Sequence, residues 1–485
     1  MTSILIKNCS ILNQHSPHGH LENQDILIHG KTIHSIGPTD PARTAETIID
    51  GWDMLAIPGL INAHTHSIET VFRGASEGLP LELWLIQQSA YRAAFPPRLL
   101  YLIALAGATE MLRSGTTAAL DHFWMVSSLT NKGLDAVMQA YAEVGLRVSL
   151  APMLEDQDLV FDVLAAAYPP LAAVAGEQSK ATDLLDLTQD FLKRWHGRED
   201  GRLLGLPGPG GAQWCSEALL TGCRDLTERF GTGLHMHVAE THLQTHICQH
   251  AYGHPVMVEL DRLGLLKPNS SLAHCIWLTE TELDLLARTQ AKVVHNPASN
   301  LKLGSGVAAI PAMLQRGIQV ALGTDGAASN DNQNMFETLK LTALLHSPAL
   351  KSDLWLPAHQ VIEMGTVAGA AVLGYPDNLG RLEPGFLADI VLLDLSRAPL
   401  DTLENASAYL VYAETGASVC HVIVNGRLVV EQGQVLTVSE DEVYRELRGE
   451  LRAFNAAHPR PLDKLQALLD EYSQALQQWG QQRHV

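Results

Sequence analysis

Pro58-Gly59-Leu60-Ile61-Asn62-Ala63-His64-Thr65-His66 is the stretch on which the fold turns. A short apolar run ends here in two histidines one residue apart. In a strand, side chains at i and i+2 leave the same face, so His64 and His66 can bind one ion together. Between about residues 57 and 378 the same rhythm recurs. Apolar runs at 60–63, 118–121, 147–152, 202–206, 233–238, 271–274, 292–295 and 319–323 alternate with amphipathic segments such as 98–112, 134–144, 216–230 and 281–288. Eight strands each followed by helix predict an α/β fold, a (β/α)8 TIM barrel, whose functional face is the C-terminal end of its strands. A doubly wound open sheet is the alternative, but no G-x-G-x-x-G follows the first strand.

Outward from the barrel the texture changes. Residues 1–56 alternate apolar and polar in short runs broken by turns, Gly30-Lys31 among them, which is an antiparallel β pattern. It returns at 388–395 and in a hairpin at 421–431 around Asn425-Gly426, a strong two-residue turn signal. Segments 1–56 and 379–440 are therefore expected to pair as a small β-sandwich built from both chain ends, flanking the barrel at 57–378. Residues 441–485 read as a charged helical extension.

Composition narrows the function. The chain has 485 residues, 46% apolar and 18% charged, as a folded protein with a large core requires. Its 33 Lys+Arg against 53 Asp+Glu give a net charge of −20, the wrong sign for neutralising nucleic-acid phosphates. The longest apolar run, 99–109, is interrupted by Gly107 and closed by Glu110, short of the ~18 residues a membrane span requires. The start, Met1-Thr2-Ser3-Ile4-Leu5-Ile6, lacks signal-peptide architecture. Six cysteines with no C-x-x-C pair read as reduced thiols of a cytoplasmic protein.

Histidine is the feature to follow, with 22 in the chain. Three more strands end in polar residues: His235-Met236-His237-Val238-Ala239-Glu240, Ala273-His274-Cys275 and Gly323-Thr324-Asp325-Gly326. Four strand ends thus direct imidazole or carboxylate into one bowl. Singly, each has a bland reading, because a strand histidine is commonly a satisfied core residue. His235 shares its face with His237 and sits deeper. His295, before Asn296-Pro297, either orients a neighbour or caps the loop. His242, His246 and His250 recur at helical spacing and line a helix surface. What chance would rarely produce is the joint order.

These strings resemble the metal-binding motifs of the amidohydrolase superfamily, with His295-Asn296-Pro297-Ala298-Ser299-Asn300 continuing the series. They look most like the branch of cytosine and guanine deaminases, S-adenosylhomocysteine/methylthioadenosine deaminases and triazine hydrolases, over about residues 1–440. The resemblance implies His64, His66, His237 and Asp325 as ligands of one divalent ion, usually zinc, with iron or manganese as alternatives. Binuclear relatives bridge two metals with a lysine ending strand four; here no Lys occurs between Lys193 and Lys267. The implied chemistry is attack of a metal-activated water on an electron-poor ring carbon. Asp325 would take the water's proton and His274 would stabilise the developing negative charge. Glu240 would carry a proton to the ring nitrogen and then to departing ammonia.

Substrate contacts follow from the same resemblance. Trp84 matches an aromatic beside the ring or is a core residue. Ser329 matches a contact position in nucleoside deaminases, and His122 resembles the Asp-His of purine deaminases. Gln213 could read a polar ring edge or be solvated. Two departures count against an adenosine-type substrate: Ala93 stands where nucleoside deaminases carry a ribose-binding Glu, and Gly210 where they carry a His. The expectation is a zinc-dependent aminohydrolase of a small nitrogen-rich heterocycle (purine, pyrimidine, pterin or triazine), working as a homodimer. Alternatives are a triazine-type chlorohydrolase or alkylaminohydrolase, a cyclic amide hydrolase, and a non-catalytic scaffold.

Overall fold

The computed structural model describes all residues except 1–2, 14–18, 92–93, 125–128, 175–177, 350, 352–354, 397–402, 460–461 and 482–485. Ala93 therefore lies outside the described residues. The N-terminal strands are β1 (Ser3–Leu12), β2 (His20–His29), β3 (Thr32–Pro38), β4 (Thr47–Asp50) and β5 (Met54–Pro58). The central strands are β6 (Leu60–Thr65), β7 (Thr116–Phe123), β8 (Arg147–Leu154), β9 (Leu203–Gly205), β10 (Gly208–Pro209), β11 (Leu234–Val238), β12 (Ser270–His274), β13 (Lys292–His295) and β14 (Val320–Leu322). Late in the chain come β15 (Ile390–Asp394), β16 (Val419–Val424), β17 (Arg427–Glu431) and β18 (Gln434–Val435).

Parallel strands stand at all eight expected places. β6 to β10 form one sheet and β11 to β14 another. The fourth place is split, because Leu206-Pro207 divides β9 from β10; proline has no N–H to give a ladder. Hydrogen bonds cross both seams between the sheets. His235 N–H donates to the Pro207 carbonyl (3.3 Å) and His237 N–H to that of Gly210 (3.1 Å), while on the other side Asp325 N–H donates to the His64 carbonyl (2.9 Å). Ile61, Ala118, Leu120, Ala151, Val294 and Ala321 point inward and pack in one cluster with the helix Val367–Leu373.

The helices between the strands carry their end signals in the sequence. Thr130 accepts from Gly133 N–H at the start of Asn131–Val144, which ends at Gly145 with φ of 90°. Ser216 caps Glu217–Phe230 before Gly231, and Thr279 with Glu282 forms a capping box on Glu280–Thr289.

Strands from the two chain ends join in one nine-stranded sheet, with β15 antiparallel to β5. Asn425 and Gly426, at φ of 52° and 74°, make the turn from β16 to β17, the backbone that Asn-Gly favours. A buried ion pair ties this sheet to the parallel strands. Arg147, on β8, gives two 2.8 Å hydrogen bonds to Asp389 and one of 3.0 Å to Asn425. Among the described residues no helix is long and apolar enough to cross a membrane.

Candidate active site and metal centre

Each chemistry-bearing side chain sits where a strand stops. His64 and the adjoining His66 leave β6, His237 leaves β11, His274 ends β12, and Asp325 follows β14. Three of these exits turn sharply. Ala239, His274, Cys275 and Asp325 all adopt left-handed backbone, φ 49–73°, which non-glycine residues take up only at a cost of order 1–3 kcal/mol each. The turns are held by neighbouring strands. Cys275 N–H donates to the Val238 carbonyl (3.0 Å), and Thr65 Oγ1 donates to the carbonyl of Asp325 (3.1 Å).

Two of the rings, His66 and His237, are oriented by backbone carbonyls. His66 Nδ1–H donates to His122 O (2.5 Å) and His237 Nδ1–H to Gly210 O (2.8 Å), so both Nε2 atoms carry lone pairs. Those two Nε2 atoms lie 3.4 Å apart with no proton to share. Asp325 Oδ1 is 3.4 Å from His64 Nε2 and 3.3 Å from His66 Nε2. A tetrahedron with bonds of ~2.0–2.1 Å has edges of about 3.3–3.4 Å, the spacing a zinc ion with N and O ligands requires. His64 Nε2 is fully buried without a hydrogen-bond partner. These four residues could hold one ion, and their donor set fits zinc.

Burial pulls the imidazoles toward the neutral, ligating form: His64 down to about 4, despite the opposing Asp325 carboxylate, and His237 well below its usual range. Burial would raise the Asp325 carboxyl, but the imidazoles of His64, His274 and His66 gathered around it bring it well below the carboxylate range. Glu240 behaves oppositely. Its burial pushes it up to about 7. Its Oε1 accepts from Ser305 Oγ (3.2 Å), and its Oε2 lies 3.7 Å from His274 Nε2. His274 Nδ1 is 2.8 Å from Asn300 Oδ1 and its Nε2 3.9 Å from Asp325 Oδ2.

These groups open into a narrow cavity lined also by Glu69, Leu81, Trp84, Leu85, Trp124, Met153, Trp214, Leu303 and Ser329. Trp84 and Ser329 are thus at the wall, beside the reactive groups. His122 and Gln213 are not among the lining residues. His122 is fully buried behind the cluster, its Nε2–H donating to Gly208 O (3.2 Å) and its ring stacked on that of His237 at 4.8 Å. Gln213 is buried with its Nε2 unpaired. His242, His246 and His250 lie on the helix His242–Tyr252, and His295 is buried at the end of β13. Glu69, in the short 3-10 helix Ser67–Val71, and Trp124 and Trp214, in irregular segments, were not legible in the sequence, because none lies in a stretch with a periodicity to read. A second cavity shares Leu85, Trp124 and Trp214 with the first and gains Phe161 and, from the helix Leu462–Gln481, Tyr472.

Residues 55–429 match the amidohydrolase family model. The chain belongs to the amidohydrolase family. It is a metal-dependent hydrolase of carbon–nitrogen bonds. It is 36% identical over 451 residues to a 5-methylthioadenosine/S-adenosylhomocysteine deaminase of Moorella thermoacetica, covering 92% of this chain and 98% of that protein. Among solved structures it is similar to a zinc-bound adenosine deaminase of Xanthomonas campestris (TM-score 0.83, 26% identity, 94% of this chain and 99% of that one). Atrazine chlorohydrolase of Arthrobacter aurescens in complex with zinc matches equally well (TM-score 0.83, 26% identity, 92% and 99%).

Proposed function

We propose that this amidohydrolase hydrolytically deaminates an amino-substituted purine-type ring, as free base or nucleoside, with one metal ion held by His64, His66, His237 and Asp325. The observation that carries the reading is the pair of lone-pair nitrogens 3.4 Å apart beside Asp325, next to a protonatable buried Glu240. When bound, the ion supplies a water acidified from about 15.7 towards ~7. The remaining steps belong to the chain. Asp325 Oδ2 faces His274 and accepts the proton of the attacking water. His274 Nε2, oriented through Asn300, hydrogen-bonds the negative charge that develops. Glu240, held near pH 7 between its two forms, gives its proton to the ring nitrogen beside the attacked carbon. The proton taken up by Asp325 passes to the amino group, which leaves as ammonia, and the added hydroxyl returns its proton to Glu240 as the ring carbonyl forms. Trp84, Trp124 and Trp214 offer apolar faces to a flat ring, and Ser329 a hydroxyl. His122 acts from behind the wall on the cluster's orientation, through its carbonyl on His66 and its ring against His237.

In this reading the eight parallel strands close as a (β/α)8 barrel over residues 57–378. Residues 1–56 and 379–440 fold over as a sandwich, and 441–485 form an outer helical extension. A cytoplasmic homodimer is the corresponding cellular form. The test is an ammonia-release screen of the zinc-loaded protein with adenine, guanine, adenosine, 5-methylthioadenosine, S-adenosylhomocysteine and aminotriazines. Ammonia from a purine supports the reading. Chloride or alkylamine release from substituted triazines, with no ammonia from any purine, would replace it with the triazine-hydrolase alternative.

A further inference from the structure

Among the buried histidines, His235 has no place in the chemistry so far. It lies two residues before His237 on β11 and is fully buried. Its Nε2 is 2.7 Å from His64 Nδ1, and its own Nδ1 is 2.7 Å from Ser271 Oγ on β12. Ser271 Oγ donates in turn to the Leu234 carbonyl at 3.2 Å. That carbonyl can only accept, which fixes the direction of every bond in the series. The serine hydroxyl spends its proton on Leu234, so it accepts from His235 Nδ1–H. His235 Nε2 is then a lone pair and accepts from His64 Nδ1–H. His64 is left with its lone pair on Nε2, the atom 3.4 Å from Asp325 Oδ1 and without a hydrogen-bond partner. We infer that His235 and Ser271 form a one-way hydrogen-bond relay that locks His64 in the metal-ready tautomer and orientation, making His235 a positioning residue for the ion.

The inference rests on the reading of His64 as a ligand. His66 and His237 are oriented by carbonyls that no side-chain change can remove. His64 alone among the three is oriented by another side chain, so its hold on the ion can be tuned by substitution. A ligand's outer partner of this kind is typically worth 10–100-fold in metal affinity.

Zinc affinity, measured by competition with a chromophoric chelator, tests it, with the melting temperature of the metal-free protein as the check on folding. His235→Phe keeps ring volume but cannot accept, and is expected to weaken zinc binding about 10–100-fold. His235→Gln offers an amide oxygen to His64 and an amide N–H to Ser271, and is expected to restore most of the affinity. His235→Phe binding as tightly as the parent, or His235→Gln weakened as much as His235→Phe, overturns the relay. If His235→Phe does not fold, Ser271→Ala carries the test. Weaker zinc at an unchanged metal-free melting temperature supports the relay, and parent-like affinity overturns it. His64→Ala separates the two levels: zinc retained there overturns the metal reading itself, whereas zinc lost there but kept in His235→Phe overturns only the relay.

Discussion

At Glu240, burial withdraws the water that would stabilise an ionised carboxylate, while His274 at 3.7 Å partly offsets the cost, leaving the group near pH 7. A proton donor with that value is half-loaded at neutral pH. As pH rises through about 7 the loaded fraction falls, so kcat/KM should decline toward a slope of tenfold per pH unit on the alkaline side. Glu240→Gln should keep its zinc, lose about 10²–10⁴ in kcat and lose that alkaline limb. Near-parent turnover would remove Glu240 from the proton path. The histidines make a second prediction at this scale. His64, His122, His235, His237 and His295 are held neutral by burial, so in the folded state they bind protons only far below the ~6.5 of an unfolded imidazole. Below that pH the unfolded chain binds more protons than the folded one, so stability falls as pH falls. The melting temperature of metal-free protein should drop steeply from pH 6.5 to 4, and a flat profile would contradict the neutral cluster.

Among the elements, the strand exits were largely legible and the loops were not. The H-x-H of β6 and the histidines and acids ending β11, β12 and β14 could be placed by the period of two, and helix ends by Thr130, Ser216 and the Thr279/Glu282 box. Period alone could not separate His235 from His237, which share a face; depth in the bundle decides, and depth depends on the neighbouring strand. His122 likewise ends a strand, yet its ring turns under the cluster because Gly208 offers it a carbonyl. Trp124 and Trp214 come from irregular turns and Glu69 from the single 3-10 turn Ser67–Val71, where no pattern announces an inward side chain. Glu69 shows how tight those turns are. Its carboxylate accepts from Ala328 N–H (3.2 Å), and a Cβ at Gly326 would overlap it. Gly326→Ala should therefore shift the segment carrying Asp325, costing about 1–3 kcal/mol of stability. Thermal denaturation and zinc content together would check this, since a shift at Asp325 must appear in both.

For the whole molecule, the Arg147–Asp389 pair joins parts of the chain 242 residues apart, in a region from which water is excluded. Arg147→Met leaves Asp389 charged, buried and missing its partner, and should cost about 3–5 kcal/mol. Adding Asp389→Leu should return much of that, because the desolvated charge is gone. A denaturant series on the single and double variants would measure the difference, and equal losses in both would mean the arginine acts by packing alone. No local motif foretold this joint, nor the approach of the final helix to the aromatic wall, because both depend on contacts between distant segments. That helix brings Tyr472 to the cavity adjoining the reaction centre, beyond the end of the 55–429 family match. The appetite of this enzyme for larger or smaller molecules could accordingly be rewritten from its C-terminal helix, by exchanging a few side chains there while every proton-handling group stays untouched.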